Sequence, residues 1–293
     1  MTVPPDSSDL EDASRSYTPL FHAQNQARYE RQGLIRDYEE KYDCRLAVLA
    51  DAIFDYSVVY FEELLQDADR DRDLHLMLWS PGGDGEIAVR LVRAAQSRCR
   101  ELIVIVPDQA KSAATLLALG AHRLLMSATS DLGPVDPQFQ LGQSLVAAKD
   151  IIAAVEDASA AVARAPETYP IHASLLADVN ALLVQQARSA IGRTGELLRQ
   201  ALASNPTRSA EDVARLAAAL ETELVQRSQS HGAIFGAGEA EAAGLPVDAR
   251  DPYDQQWREL WQIFTRYFTL GLSVYEARRA SQVIERHPFL GPT

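Results

Sequence analysis

The stretch Leu74-His75-Leu76-Met77-Leu78-Trp79-Ser80-Pro81-Gly82-Gly83-Asp84-Gly85 decides the reading of this chain. Leucines alternate with His75, Met77 and Trp79, the pattern of a buried strand, and the run stops at a turn where proline fixes one dihedral and glycine supplies positive φ. Immediately afterwards Ile87, Ala88, Leu91, Val92 and Ala95 fall on one face of a helix. A second apolar strand from Leu102 to Val106 closes at Pro107, a helix follows from about Ser112 to Ala121, and Leu124-Leu125-Met126 forms a further short strand. Strand, helix, strand, helix, strand with right-handed crossovers specifies an α/β layer fold with a mostly parallel sheet.

Working outward, Gln26 to Tyr42 is helix-compatible, Leu46 to Leu49 reads as a strand, and Val58 to Leu65 as an amphipathic helix. Residues 1–22 are polar and aperiodic, so they read as a disordered tail. From Gln143 to Ser230 the chain is Ala-rich and mostly helical, with breaks at Pro166 to Pro170 and at Asn205-Pro206. Ser209 and Asp212 form a capping pair ahead of the Val213, Leu216, Ala217, Leu220 stripe. The last 40 or so residues carry Trp257, Trp261, Phe264, Tyr267, Phe268 and Tyr275 and read as one or two amphipathic helices. The expected division is therefore a tail over 1–22, a main domain over 23–250 with a helical insertion at about 150–230, and a C-terminal helical part over 251–293 offered as an oligomer contact.

Composition narrows the function. With 28 Lys+Arg against 41 Asp+Glu, the net charge of −13 disfavours a surface that tracks phosphates, so nucleic acid is not an expected partner. No run approaches the roughly 18 apolar residues of a membrane span, and the acidic N-terminus lacks a signal-peptide pattern; a cytoplasmic protein is expected. Cys44 and Cys99 are then expected as free thiols. Only three lysines occur, Lys41, Lys111 and Lys149. No metal-ligand spacing or phosphate loop is present, and Gly236-Ala237-Gly238 lacks the third glycine of a dinucleotide fingerprint, so neither metal nor cofactor is expected.

The chemistry-bearing segment is Gln109-Ala110-Lys111-Ser112-Ala113-Ala114-Thr115. It puts a serine at the first turn of a helix, where unpaired N–H groups and the helix dipole suit a developing oxyanion. The plain alternative is a capping serine. Glycine N–H groups in the Pro81-Gly82-Gly83 turn can supply a second donor, or the turn can simply join strand to helix. A serine nucleophile needs a base. Lys149, read as lying on a helix with Leu145, Val146, Ile152 and Ala153 as neighbours, sits on an apolar face where desolvation favours a neutral, proton-accepting amine; a lysine snorkelling outward is the alternative. Lys111 adjoins Ser112 but points about 100° away on a helix. His122, ten residues after Ser112, is roughly 15 Å distant by helical rise and reads as structural. Asp136 reads as a loop-anchoring carboxylate near the site, and His231 as a loop residue.

Three ordered motifs, Ser80-Pro81-Gly82-Gly83-Asp84-Gly85, Ala110 to Ala121 and Leu132-Gly133-Pro134-Val135-Asp136-Pro137-Gln138, resemble the serine dehydrogenase proteinase family, which belongs with signal peptide peptidase A and NfeD-type Ser-Lys proteases in the ClpP/crotonase superfamily. The likeness runs from about Arg28 to Val247, roughly three quarters of the chain. It implies a spiral of ββα units, Ser112 as nucleophile, Lys149 as general base, and Gly83 and Ala113 amides as the oxyanion hole, supported by Gly82 and Asp136. It implies hydrolysis of peptides or unfolded chains through an acyl-enzyme inside a homo-oligomer, with a regulatory protein partner as a further expectation. Two features depart from the pattern: Ala113-Ala114 stands where relatives commonly carry a glycine, and no membrane anchor is evident. A non-catalytic or partner-activated scaffold, or an acyl-CoA enzyme sharing the oxyanion hole, are the competing readings.

Overall fold

The computed structural model describes residues 18–226, 234–269, 273–278 and 281–284. Five parallel strands form the centre: β1 (Cys44–Ala50), β2 (Asp73–Trp79), β3 (Leu102–Val106), β5 (Arg123–Met126) and β9 (Val247–Ala249). Two antiparallel strands, β10 (Ser273–Ala277) and β11 (Ser281–Ile284), extend the β1 edge, giving the order β11-β10-β1-β2-β3-β5-β9.

Side-chain alternation divides the core into two. Leu74, Leu76 and Leu78 point to one face with Leu49, Val104 and Leu124. That face is covered by α2 (Asp55–Leu64), α3 (Gly85–Gln96), α4 (Ala113–Leu119), α7 (Ala181–Ala203) and α8 (Ala210–Leu220), and Ala240 of the short α9 (Ala237–Ala242) joins the same core. His75, Met77, Val48, Ile103 and Ile105 point to the other, covered by α1 (Pro19–Tyr42) and α10 (Gln255–Phe268). A sheet buried on both faces needs near-continuous apolar strands, which is what the sequence supplies.

Beyond their carboxyl ends, successive strands run into short extended segments that pair in a second layer. Ile53 bridges Gly83, Ser80 bridges Ala110, β4 (Gln109–Ala110) pairs with β6 (Asp131–Leu132), and Leu132 bridges Phe235. Long strand, short strand, helix is the repeated ββα unit, and the protein has the α/β architecture its motifs imply. Between β6 and α7 lie the hairpin β7 (Gln138–Leu141) and β8 (Ser144–Ala147), α5 (Ala148–Arg164) and α6 (Tyr169–Leu175). With the first half of α7 they enclose a small core of their own around Ala148, Ile151 and Ala187.

Three boundaries differ from the sequence reading. Helix α1 begins at Pro19, capped by the Thr18 hydroxyl, so 19–22 leave the expected tail; residues 1–17 lie outside those described. The Ala-rich segment opens as a hairpin, because Gly142 at φ 60° turns the chain back and strand pairing claims Leu145 and Val146. The C-terminal segment forms a single described helix and then strands. Its aromatic side largely covers the sheet, with Trp257, Phe264 and Tyr267 buried and Phe264 packed edge-on against Trp79. Of the face offered as an oligomer contact, Trp261 and Phe268 stay exposed.

On the α1 and α10 side, Tyr38 Oη lies 2.8 Å from His75 Nδ1 and accepts from Gln256 Nε2 at 2.9 Å. Burial pushes the imidazole from 6.5 down to about 4. Between these values the unfolded chain binds a proton at His75 that the folded chain does not, so the contribution of a neutral His75 to stability is complete above pH 6.5 and falls as pH drops toward 4. Urea unfolding should show a loss on the order of 3 kcal/mol across that window which His75→Gln removes. Identical pH slopes in the two proteins would contradict this assignment.

Candidate active site

Ser112 lies two residues past β4 and directly precedes α4, with φ 51° and ψ −115°. This is the first central position of a type II′ turn, which glycine prefers and a residue with a Cβ adopts only under strain. The capping alternative is excluded by geometry, since the Ser112 side chain caps no helix N–H. The sharp strand-to-helix turn instead presents a half-buried hydroxyl at a helix N-terminus.

The neighbouring Gly82-Gly83 turn packs directly on this serine. A Cβ built on Gly82 falls 2.7 Å from Ser112 Cβ and 3.3 Å from Ala113 N, so only glycine permits the approach. Gly82 N–H donates to the Ser80 hydroxyl (3.1 Å), and Gly82 O accepts from Ile53 N–H (2.8 Å). Asp84 N–H donates to Ile53 O (2.8 Å), so alternation along the extended chain turns the Gly83 amide to the opposite edge. Ala113, the first residue of α4, has an amide without an intrahelical partner. Ser80 and Lys111 lock the two segments in register, with Ser80 N–H donating to Gln109 O and Lys111 N–H to Ser80 O, both 3.0 Å.

A cavity of ≈ 280 Å³ opens beside the serine, lined among others by Gly83, Ser112, Ala113, Leu116, Asp136 and Leu197. The structure therefore brings Ser112, Gly83, Ala113 and the buried Asp136 to one place, with Gly82 against them. Lys149 does not line that cavity. It is half-buried in the first turn of α5, directly after Ala148, whose N–H donates to Pro137 O (2.8 Å), and Pro137 is itself a cavity wall. Of the four apolar neighbours expected on its helix face, Ile152 and Ala153 remain, because Leu145 and Val146 belong to β8.

The other candidates have structural partners. Lys111 is paired with Asp131, which also accepts from Phe235 N–H (2.8 Å). His122 Nδ1 accepts from Leu102 N–H (2.9 Å) at the far end of α4. His231 lies outside the described residues.

Sequence reasoning gave no role to Thr115 or Ser80. The fully buried Thr115 hydroxyl lies 2.8 Å from Ala110 O and 2.9 Å from Gly133 O and accepts from Gly133 N–H (3.1 Å), tying the serine loop to the Gly-Pro-Val-Asp-Pro loop. A small hydroxyl inside an apolar helix run, Thr115 among Ala113, Ala114, Leu116 and Leu117, was the available signal.

The ββα spiral with a strained serine at a helix N-terminus is the class of architecture that the fold and site define. The family model for ClpP-like SDH-type serine proteinases matches residues 58–222, more than half of the chain, and the protein belongs to that family. Two relatives from Methanocaldococcus jannaschii are themselves described as uncharacterized proteins. One is 39% identical over 102 residues, 34% of each chain, and the other 32% identical over 68 residues, 23% of each. The chain thus matches about a third or less of the length of these relatives.

A Cβ on Gly83, which has φ 141°, would stand 2.1 Å from Ile53 O. Gly83→Ala should therefore displace the turn and lower Ser112 reactivity toward a phosphonylating reagent by about 10² or more. Gly142→Ala, also at positive φ but with nothing within 4 Å, should leave that reactivity intact.

Proposed function

We propose that the protein is a serine peptidase that hydrolyses peptide bonds through an acyl-enzyme on Ser112. The observation that supports this reading is the close packing of Gly82 on Ser112 in its strained conformation, with Gly83 and Ala113 lining the same cavity as the serine. Ser112 Oγ attacks the scissile carbonyl while Lys149 Nζ takes its proton, and the oxyanion rests on the two N–H groups. The C–N bond then breaks as the proton passes to the leaving amine. Water, deprotonated by the same lysine, attacks the ester and frees Ser112. Asp136 supports the loop that shapes the cavity and leads through Pro137 to the Lys149 helix.

Because Lys149 stands outside the cavity that holds Ser112, a second reading is that assembly or a protein partner completes the dyad. Homo-oligomerisation is supported by the hairpin and helical lobe, where Leu145, Tyr169, Ile171, Leu175 and Leu182 are each more than 60% exposed. Among the described residues no helix is long and apolar enough to cross a membrane. Substrates are expected to be peptides or unfolded chains presented in an aqueous chamber, and cytoplasmic residence is part of the same proposal.

Fluorophosphonate labelling with peptide mapping tests the dyad. One adduct on Ser112 is expected, abolished in Ser112→Ala and slowed 10²–10⁴-fold, roughly the contribution of a general base, in Lys149→Met. An adduct that persists in Ser112→Ala, or Lys149→Met labelling at the wild-type rate, rejects the assignment. The assembly reading is tested by sedimentation: Ile171→Glu with Leu175→Glu should reduce the mass of the particle while leaving the circular dichroism unchanged. An unaltered mass places the subunit contact elsewhere.

A further inference from the structure

Two walls of the Ser112 cavity are joined by an ion pair that no part of the proposed chemistry uses. Arg193 lies on α7 with Ala190, Thr194 and Leu197, residues three and four apart that present one face to the cavity. Glu86 lies in the first turn of α3, on the wall that carries Gly83. Arg193 Nε donates to Glu86 Oε1 at 2.5 Å and Nη2 to Oε2 at 2.6 Å, a bidentate fork, while Nη1 donates to Glu196 at 2.6 Å.

Depth is graded across the cavity. Leu116 and Leu197 are buried at its inner end, where a Cβ on Gly85 would come within 3.1 and 3.0 Å of their methyl groups. The side chains of Arg193 and Glu86 are 41% and 52% exposed, so the pair joins two cavity walls on the solvent side. The Arg193 hydrogen bonds hold Glu86 below the usual carboxylate range. Exposed pairs of this kind are weakly held and screened by salt, so the bar opens readily.

We propose that the Arg193–Glu86 pair is a specificity element, a bar across the rim of the cavity that admits narrow groups to position 112 and slows bulky ones. The inference extends the reading of Ser112 as the reacting group, but its test does not depend on catalysis. Ser112→Cys is made in a Cys99→Ser background, leaving buried Cys44 as the other thiol. Alkylation of the thiol introduced at position 112 is then followed by peptide mass mapping with a small reagent, iodoacetamide, and a bulky one, fluorescein maleimide. Adding Arg193→Ala or Glu86→Gln should raise the bulky rate about tenfold relative to the small one, the scale on which pocket shape discriminates. About 1 M salt should act in the same direction without any further substitution. The exchanged pair Arg193→Glu with Glu86→Arg should restore the slow bulky rate. An unchanged ratio of the two rates in both single variants overturns the proposal. If the ratio shifts while wild-type Ser112 fails to label with fluorophosphonate, the bar stands and the peptidase reading falls.

Discussion

The structure around the site depends on one backbone constraint, the positive φ of Ser112. A non-glycine residue in that region costs on the order of 1–3 kcal/mol and persists only where its surroundings over-determine it. Here they do so from three directions. The Ser80 bridge fixes the approach through Ala110, the Thr115 hydroxyl holds Ala110 O from below, and Gly133 packs so closely on Lys111 that a Cβ there would overlap its side chain. The serine is pinned before any substrate arrives, which is the condition under which fixed N–H donors stabilise developing charge without reorganising.

That pinning draws on the whole sheet. β2 and β3 are adjacent parallel strands, and their carboxyl ends deliver Ser80 and Gln109 side by side. The glycine turn and the serine turn are thus consecutive units of the same spiral, brought into contact by strand register. The Lys111–Asp131 pair serves the same end, fastening the residue before Ser112 to β6. Lys111, adjacent to Ser112, is here part of the frame, and the proposed base comes from α5.

Much of this was legible in the sequence because it rests on local signals. Alternation at Leu74 to Trp79, the apolar run Leu102 to Val106 and the Pro81-Gly82-Gly83 stop define the central units, and the helix after Ser112 follows from its small and apolar residues. Features governed by pairing between segments, local or distant, were not legible. Ser144 to Ala147 has the composition of a helix start, and only its partner Gln138 to Leu141 makes it a strand. Ser273 to Ala277 becomes a strand because the β1 edge is open to it, and Glu276 is held there by buried Arg31 at 2.6 Å, 245 positions away. The strain at Ser112 was hidden for another reason: no residue type announces a positive φ except glycine. The Arg193–Glu86 pair joins residues 107 apart, a contact no local pattern encodes.

The proposed chemistry requires the Gly83 and Ala113 amides to converge on a single oxyanion position above Ser112. The most direct measurement is a crystal structure of the protein with a peptidyl boronic acid, which forms a reversible tetrahedral adduct with an activated serine. The expected adduct has a bond from Ser112 Oγ to boron and one boronate oxygen about 2.7–3.1 Å from both amide nitrogens. A boronate bound to another residue, or one on Ser112 whose oxygens touch neither amide, would contradict it.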